Sequence, residues 1–155
     1  MKLKILWPGK THNRDIRSLQ EFYLTKINRL EACDLIETKE AKGIAEKFEK
    51  KIKTIEADGL EKYFKDDYII CLLDKGKEMN SDEFSRFLGG IATNSKRTIA
   101  FVTGGFLGLE ERLIKKADFL LSLSKMTLSH ELSRVVLLEQ IFRSLAILKG
   151  RKYAK

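Results

Sequence analysis

The sequence is poor in the residues that would cross-link the chain or carry it through a membrane. It has two cysteines and one proline in 155 residues, too few thiols for a disulfide framework or a zinc site. Cys33 and Cys71 both lie in apolar, strand-like runs, so buried free thiols are expected. No apolar run approaches the roughly 20 residues of a membrane span. The apolar stretch within residues 1–8 is too short and ends too early to be a secretory signal. We therefore expect a cytoplasmic protein that binds no metal and spans no membrane.

Acidic residues are outnumbered, and several catalytic signatures are missing. The chain has 30 Lys and Arg against 22 Asp and Glu, for a net charge of +8. A basic surface favours an anionic partner, with RNA or DNA as the first candidate and a membrane surface as the second, although many basic proteins bind nothing anionic. The sequence lacks a Ser-His-Asp order, a P-loop and a G-x-G-x-x-G fingerprint near the first strand. A hydrolase with a serine nucleophile and a dinucleotide-binding protein are therefore both disfavoured.

Apolar periodicity predicts one α/β domain over residues 1–155. A 43% hydrophobic content is ordinary for a globular chain of this length. Strands alternating with helices imply a mainly parallel sheet with helices on both faces. Strands are predicted at 2–7, 33–38, 68–73, 98–103 and 119–123; helices are predicted at 15–31, from Ile44 to a stop near Gly59, from a cap at Ser81, for two turns from Glu110, and at 131–149.

Two of the predicted strands end in small residues. Gly104 and Gly105 follow a buried strand, and residues 122–129 interleave serine and threonine with apolar side chains. Small residues at strand ends let bare backbone approach a polar ligand. The alternatives are a tight strand-to-helix turn for the glycines and a solvated strand edge for the hydroxyls. Together the two segments predict a ligand site near the C-terminus.

Three further residues are candidates for chemistry at that end of the chain. His130 and Arg134 are four apart, which places both on one face of a helix. Arg134 suits a phosphate or carboxylate, whereas a lone histidine is more often a cap or a solvent-facing group. Tyr153 lies among basic residues, a composition suited to stacking on a base, although such tails usually stay solvated.

The C-terminal third resembles the small SPOUT-class methyltransferases that methylate N3 of a pseudouridine in 23S rRNA of the large ribosomal subunit. The run T-G-G-F-L-G-L (103–109) resembles that family's I-G-G-x-x-G-L. The run L-S-L-S-K-M-T-L-S-H-E-L-S-R-V-V-L-L-E-Q-I-F-R-S (121–144) resembles its L-S-x-x-T-x-P-H-x-x-x-R-x-x-x-x-E-Q-x-Y-R-A. The resemblance implies a SPOUT fold with a deep C-terminal trefoil knot, a rare exception to un-knotted topology. It also implies a homodimer that uses S-adenosylmethionine as methyl donor and 23S rRNA in the ribosome as substrate.

The resemblance also assigns roles to individual positions. The cofactor site would be lined by Leu72, Gly104, Gly105, Ser124, Lys125, Met126, Thr127, Leu128 and Ser129. His130, Arg134 or Tyr153 would position or deprotonate the target base. Three features depart from the family: Ser129 replaces a proline, Trp7-Pro8 replaces small apolar residues after the first strand, and Ala154 replaces a histidine. The alternatives are a non-catalytic SPOUT protein that binds RNA or ribosomes, and a SPOUT methyltransferase acting on another RNA such as tRNA.

Overall fold

Strands and helices alternate along the whole described chain in the computed structural model, which describes residues 1–152. The alternation follows from apolar runs of strand length separated by amphipathic stretches of helical period. A short 3₁₀ helix, Glu46–Phe48, precedes the second α-helix. The elements are β1 Lys2–Pro8, α1 Arg14–Asn28, β2 Ala32–Thr38, α2 Glu49–Glu61, β3 Tyr68–Glu78, α3 Ser81–Asn94, β4 Ile99–Val102, α4 Glu111–Lys115, β5 Phe119–Ser122 and α5 His130–Leu148.

The strands form a parallel sheet in the order β2-β1-β4-β3-β5. Successive side chains of a strand point to opposite faces, so Leu3 and Ile5 join one core and Leu6 joins another. Helices α1, α3 and α5 cover the first core, and α5 packs against both of the others. Helices α2 and α4 supply Ala57, Leu60 and Leu113 to the second core. The predicted parallel sheet with helices on both faces is confirmed.

β3 pairs with β5 twice, on either side of a short detour. Leu72 and Lys77 both lie opposite Leu121, so residues 73–76 leave the ladder between them. At Gly76 a Cβ atom would lie 2.5 Å from the carbonyl carbon of Leu121, a separation that only glycine allows. The detour holds residues 73–76 at the carboxyl edge of the sheet, beside the end of β5. The trefoil knot implied by the resemblance stays a prediction.

Several predicted boundaries of helices and strands are wrong. The second helix begins at Glu49 and not at Ile44, and Phe48 lies before it with 53% of its surface exposed. Gly59 lies inside that helix and does not end it. The third helix is capped by Asn80 and not by Ser81: the Asn80 side chain accepts a hydrogen bond from Glu83 N at 2.9 Å in a capping box. β3 continues to Glu78 because its second half pairs with β5.

Both cysteines are buried free thiols, as their apolar surroundings predict. Burial raises the pKa of Cys33 and of Cys71 to about 12. The thiols therefore stay protonated and unreactive at neutral pH. Among residues 1–152, no helix combines the length and apolarity that crossing a membrane requires.

Candidate functional site

A cleft of about 200 Å³ opens at the carboxyl edge of the sheet, where β3, β4 and β5 end. Ligands of open parallel sheets bind at this edge. The glycine turn after β4 and the serine-rich segment after β5 meet in it, although the α4 helix and β5 separate them in sequence. The cleft is lined by Leu72, Leu73, Asp74, Thr103, Gly104, Gly105, Gly108, Leu109, Leu121, Leu123, Ser124, Met126, Leu128, His130 and Ser133.

Hydroxyl groups hold the loop between β5 and α5 in shape. Ser122 Oγ donates to the carbonyl oxygen of Ser124 at 3.0 Å, and Ser124 Oγ accepts from Met126 N at 2.9 Å. Ser129 Oγ accepts from Leu132 N at 3.3 Å and caps α5. These bonds are local, so the interleaved serines shape the cleft wall largely by themselves. The family pattern quoted above has proline at this position. Here the Ser129 side chain starts the helix by accepting a hydrogen bond from Leu132 N.

The glycine turn is tight because protein atoms fill the space behind it. A Cβ at Gly104 would lie 2.6 Å from the Cα of Gly108. A Cβ at Gly105 would lie 2.8 Å from Oε2 of Glu56. Gly108 N donates to the carbonyl oxygen of Gly105 at 3.0 Å and closes the turn. The glycines thus bring one face of the backbone to the cleft by allowing the other face to pack without side chains.

Glu56 is a buried carboxyl directly behind this turn. It projects from α2 with 6% of its surface exposed, and its Oε2 atom has no hydrogen-bond partner. Burial raises the pKa of Glu56, the Ala41 backbone N–H opposes the shift, and Glu40 reinforces it. A buried carboxyl without a full set of partners favours its neutral form. No local pattern in the sequence predicts this contact, because Glu56 and Gly105 approach each other only in the folded chain.

We expect the Glu56→Gln variant to gain stability relative to the wild type as the pH rises. The folded wild type holds the Glu56 proton more tightly than the unfolded chain does, so its stability falls as pH rises through the raised pKa. The variant has no such proton. Urea unfolding between pH 4 and 8 measures the difference in unfolding free energy. Glu49→Gln, at the exposed start of the same helix, controls for the loss of one charge. A difference that is independent of pH would contradict the prediction.

His130 is the titratable ring at the cleft. It begins α5, lines the cleft, and meets the Phe106 ring edge-on with centroids 6.2 Å apart. Burial lowers the pKa of His130, and the positive charge of Arg134 lowers it further. Glu131 and Glu40 oppose this shift. The net effect favours a neutral imidazole, which is able to accept a proton.

Arg134 lies one turn further along α5, beneath the end of β1 and outside the cleft lining. Its guanidinium is 1% exposed and donates to the carbonyl oxygen of Pro8 at 2.7 Å and to Thr11 Oγ1 at 3.0 Å. It also lies 4.7 Å from the centre of the Trp7 ring. These contacts tie α5 to the β1–α1 loop. A role of Arg134 toward substrate stays a prediction, and Tyr153 lies outside the described residues.

Comparison with known proteins identifies the family of this chain. The family model described as "Predicted SPOUT methyltransferase" matches residues 1–154. A protein of Clostridium kluyveri named ribosomal RNA large subunit methyltransferase H is 36% identical over 159 residues, covering all of both chains. A protein of the same name from Acholeplasma laidlawii is 37% identical over 155 residues, again covering all of both chains. The chain belongs to the SPOUT methyltransferase family.

Solved structures of low sequence identity share the fold of this SPOUT methyltransferase. A probable methylase family protein from Haemophilus influenzae superposes with a TM-score of 0.56 at 16% identity, covering 99% of this chain and 70% of that one. A probable methyltransferase from Bordetella pertussis gives a TM-score of 0.56 at 10% identity, covering 93% and 96%. At such identities the likeness supports the fold alone. A methyltransferase needs a methyl donor, and the cleft is the candidate place for it.

The structure brings most of the predicted cofactor residues of the SPOUT site together and leaves three aside. Lys125, Thr127 and Ser129 do not line the cleft. Thr127 Oγ1 lies 3.5 Å from Oδ2 of Asp74, and Ser129 caps α5. Those that line the cleft are Leu72, Gly104, Gly105, Ser124, Met126 and Leu128. Their contact with a bound cofactor stays a prediction.

Thr103 and Asp74 line the cleft but were missed by sequence reasoning. Thr103 directly follows β4, is 3% exposed, and its hydroxyl has no hydrogen-bond partner. Asp74 lies in the detour between the two β3–β5 pairings. The sequence does contain a signal for Thr103, because it is a polar residue directly after a buried strand. The carboxyl ends of parallel strands meet at one edge of the sheet, where ligands bind. Among the residues that the structure describes, no group of His, Cys, Asp and Glu side chains could hold a metal ion.

Proposed function

We propose that this protein transfers a methyl group from S-adenosylmethionine to N3 of a pseudouridine in 23S rRNA of the large ribosomal subunit. The full-length family match carries the proposal, because it covers residues 1–154 and includes both segments of the cleft. The names of the relatives, which specify large-subunit ribosomal RNA, support the substrate. The net charge of +8 supports a nucleic-acid partner.

The cleft fits a bent nucleoside that carries a charged amino-acid end. Thr103 Oγ1 is buried without a partner at its wall, which is the kind of polar group that a ligand satisfies. Leu72, Leu109 and Leu121 offer an apolar slot for an aromatic base. The Asp74 carboxylate accepts hydrogen bonds from hydroxyl or ammonium groups. When bound, S-adenosylmethionine supplies a methyl group already activated by its sulfonium, so the protein needs no covalent nucleophile.

The work left to the protein is alignment and the removal of one proton. The imide N3–H of a pseudouridine must lose its proton for nitrogen to accept a methyl group. His130 borders the cleft, and burial with Arg134 lowers its pKa. We propose that the neutral His130 ring accepts this proton, while the backbone of residues 104–109 and 122–129 fixes the relative positions of the reactants. Tyr153, outside the described residues, stays an alternative candidate.

Exposed apolar side chains on two adjacent helices support the homodimer that the family resemblance implies. Leu19 and Phe22 on α1 are 47% and 49% exposed, and Leu132 on α5 is 42% exposed. Helices α1 and α5 pack against each other, so these side chains offer apolar surface on neighbouring helices for a second copy to cover.

The His130→Gln variant is expected to lose about 10²- to 10⁴-fold in kcat, the usual contribution of a general base. The wild-type rate should fall as the pH drops through the His130 pKa, which burial and Arg134 lower from its ordinary value. The variant should lose that dependence while keeping its melting temperature and its affinity for S-adenosylmethionine. Single-turnover kinetics between pH 5 and 8 measure this. A variant with the wild-type pH profile would remove His130 from the proton transfer.

The proposed function is tested by methyl transfer to purified RNA. Large ribosomal subunits, assembled ribosomes and tRNA from a strain lacking this protein are incubated with S-adenosylmethionine labelled in its methyl group. Mass spectrometry of nuclease digests then locates the label. Label on a pseudouridine of 23S rRNA supports the proposal, and label on tRNA overturns it in favour of another RNA. Ribosome binding without label would indicate the non-catalytic alternative, which Ala154 in place of the family histidine suggests.

A further inference from the structure

A basic surface with an exposed aromatic ring lies at the start of α2. We call it the Phe48 platform and define it by Lys47, Phe48, Lys50, Lys51, Thr54 and Ile55, which together line a shallow depression. Positions 47, 50, 51, 54 and 55 have the spacing of one helical face. The opposite face buries Ile52, Glu56, Ala57 and Leu60. The platform is therefore the outward side of a helix whose inward side packs behind the glycine turn.

Three lysines of the Phe48 platform are exposed. None of Lys47, Lys50 and Lys51 forms an ion pair within residues 1–152, and all three are exposed. By contrast, Lys53 on the neighbouring face of the same helix lies 3.7 Å from Glu49. Lys47 Nζ lies 5.2 Å from the centre of the Phe48 ring, within cation–π range. The three lysines thus present exposed positive charge in the depression that holds the ring. The acidic side chains of Glu49, Glu110 and Glu111 lie along the neighbouring groove that Lys47 and Lys50 also border.

Phe48 is an apolar ring that the protein leaves in water. Helical periodicity predicts it in the core with Ile52, but 53% of its surface is exposed because the α-helix starts only at Glu49. Lone exposed apolar residues are common, so exposure by itself decides nothing. An exposed ring beside exposed lysines combines the two features by which proteins bind single-stranded RNA. Bases stack on the ring while the cations meet phosphates.

The Phe48 platform lies on the helix that supports the glycine turn of the cleft. Glu56, on the same helix, touches the glycine turn at Gly105. Lys47 and Lys50 also border a groove with Glu110 and Glu111, the residues that directly follow Leu109 of the cleft. The groove therefore connects the platform with the residues that follow Leu109 of the cleft.

We propose that the Phe48 platform binds an unpaired segment of the rRNA substrate next to the target base, with one base stacked on Phe48 and flanking phosphates on Lys47, Lys50 and Lys51. The inference rests on the proposed function and adds a second contact to it. A membrane surface would need a larger apolar face than one ring. An acidic peptide would use the charge but not the exposed ring.

The experiment measures binding of fluorescently labelled protein to large ribosomal subunits as a function of salt. Phe48→Ala should weaken binding about tenfold, as expected for loss of one stacked base. The triple variant Lys47→Glu/Lys50→Glu/Lys51→Glu should weaken it further and reduce the salt slope of log K by about 2, since each single-strand phosphate contact contributes about 0.7. Calorimetry with S-adenosylmethionine should give wild-type affinity for both variants, which shows that the fold is retained.

Matched controls lie at the opposite edge of the sheet. Lys62, Lys65 and Lys96 are exposed on the loops that precede β3 and β4, and Tyr63 is 39% exposed beside them. Lys62→Glu/Lys65→Glu/Lys96→Glu makes the same change in net charge, and Tyr63→Ala removes a ring of similar size. Both controls should bind subunits with nearly wild-type affinity. Equal losses in the platform and control variants would show a non-specific charge effect and overturn the proposal.

Other outcomes separate this proposal from the proposed function. If the wild type methylates 23S rRNA and the platform variants bind and methylate as it does, the Phe48 platform is no RNA contact and the proposed function stands. If the wild type transfers no methyl group to any ribosomal RNA, the proposed function fails at that step. A platform variant that changes the sedimentation coefficient instead of RNA affinity would make this face an interface between copies. Loss of binding to anionic vesicles alone would indicate a lipid surface.

Discussion

Replacing Gly104 with alanine is expected to destabilise the protein by about 2–3 kcal/mol and to remove measurable binding of S-adenosylmethionine. The added methyl carbon would lie only 2.6 Å from the Cα of Gly108 and would overlap the backbone there. Backbone atoms cannot swing aside as a flexible side chain does, so the whole turn from Gly104 to Gly108 must open. That turn forms one wall of the cleft. Urea unfolding and calorimetry measure the two losses.

Gly90→Ala is the matched control for this substitution. Gly90 lies inside α3, and a Cβ there would meet nothing within 4 Å. Alanine at an exposed helix position is favoured over glycine by up to about 1 kcal/mol, so this variant should be slightly more stable and bind the cofactor normally. Normal cofactor affinity in Gly104→Ala would mean that the glycine turn does not shape the donor site.

Replacing Arg134 with methionine is expected to cost about 3 kcal/mol of stability, the lower end for breaking a buried, hydrogen-bonded charge. The substitution keeps much of the side-chain volume but leaves the Pro8 carbonyl and the Thr11 hydroxyl without their donor. It also removes the cation above the Trp7 ring. The β1–α1 loop would lose one of its ties to α5, while Glu131 would still accept from His12 N and Asn13 N. Thermal and urea unfolding measure the loss.

Arg112→Met is the control for loss of an arginine. Arg112 makes ion pairs with Asp58, Glu61 and Glu110, but its side chain is 38% exposed. Surface ion pairs contribute about 0–1 kcal/mol, so the control should be nearly as stable as the wild type. If Arg134→Met folds with wild-type stability yet fails to methylate, Arg134 acts on the substrate and its buried contacts are secondary.

Local sequence patterns predict the fold well because they depend on neighbouring residues. Apolar runs and helical spacing place every strand and α-helix, and the parallel sheet follows from their alternation. The loop between β5 and α5 is equally local, since Ser122, Ser124 and Ser129 bond to backbone within three residues. Errors occur where a long-range pairing decides the outcome, as when β3 extends to Glu78 alongside β5.

The site is predicted less completely, because spacing gives a face of a helix and not its surroundings. His130 and Arg134 share one face of α5, as their spacing requires. The first lies at the tip of the helix beside the cleft, while the second is one turn inward and covered by the end of β1. The packing of Glu56 against Gly105 joins residues that no local pattern relates. Such pairings become visible only when the sheet is assembled.

The strand order has a consequence for how the molecule is made. β1 lies between β2, which follows after one helix, and β4, which is synthesised only after β3 and α3. A nascent chain that has left the exit tunnel up to α2 therefore presents one bare edge of β1, with unpaired amides and carbonyls. β5 must then thread in beside two separate stretches of β3. Refolding in vitro should accordingly be slow and concentration-sensitive, because distant pairings form late.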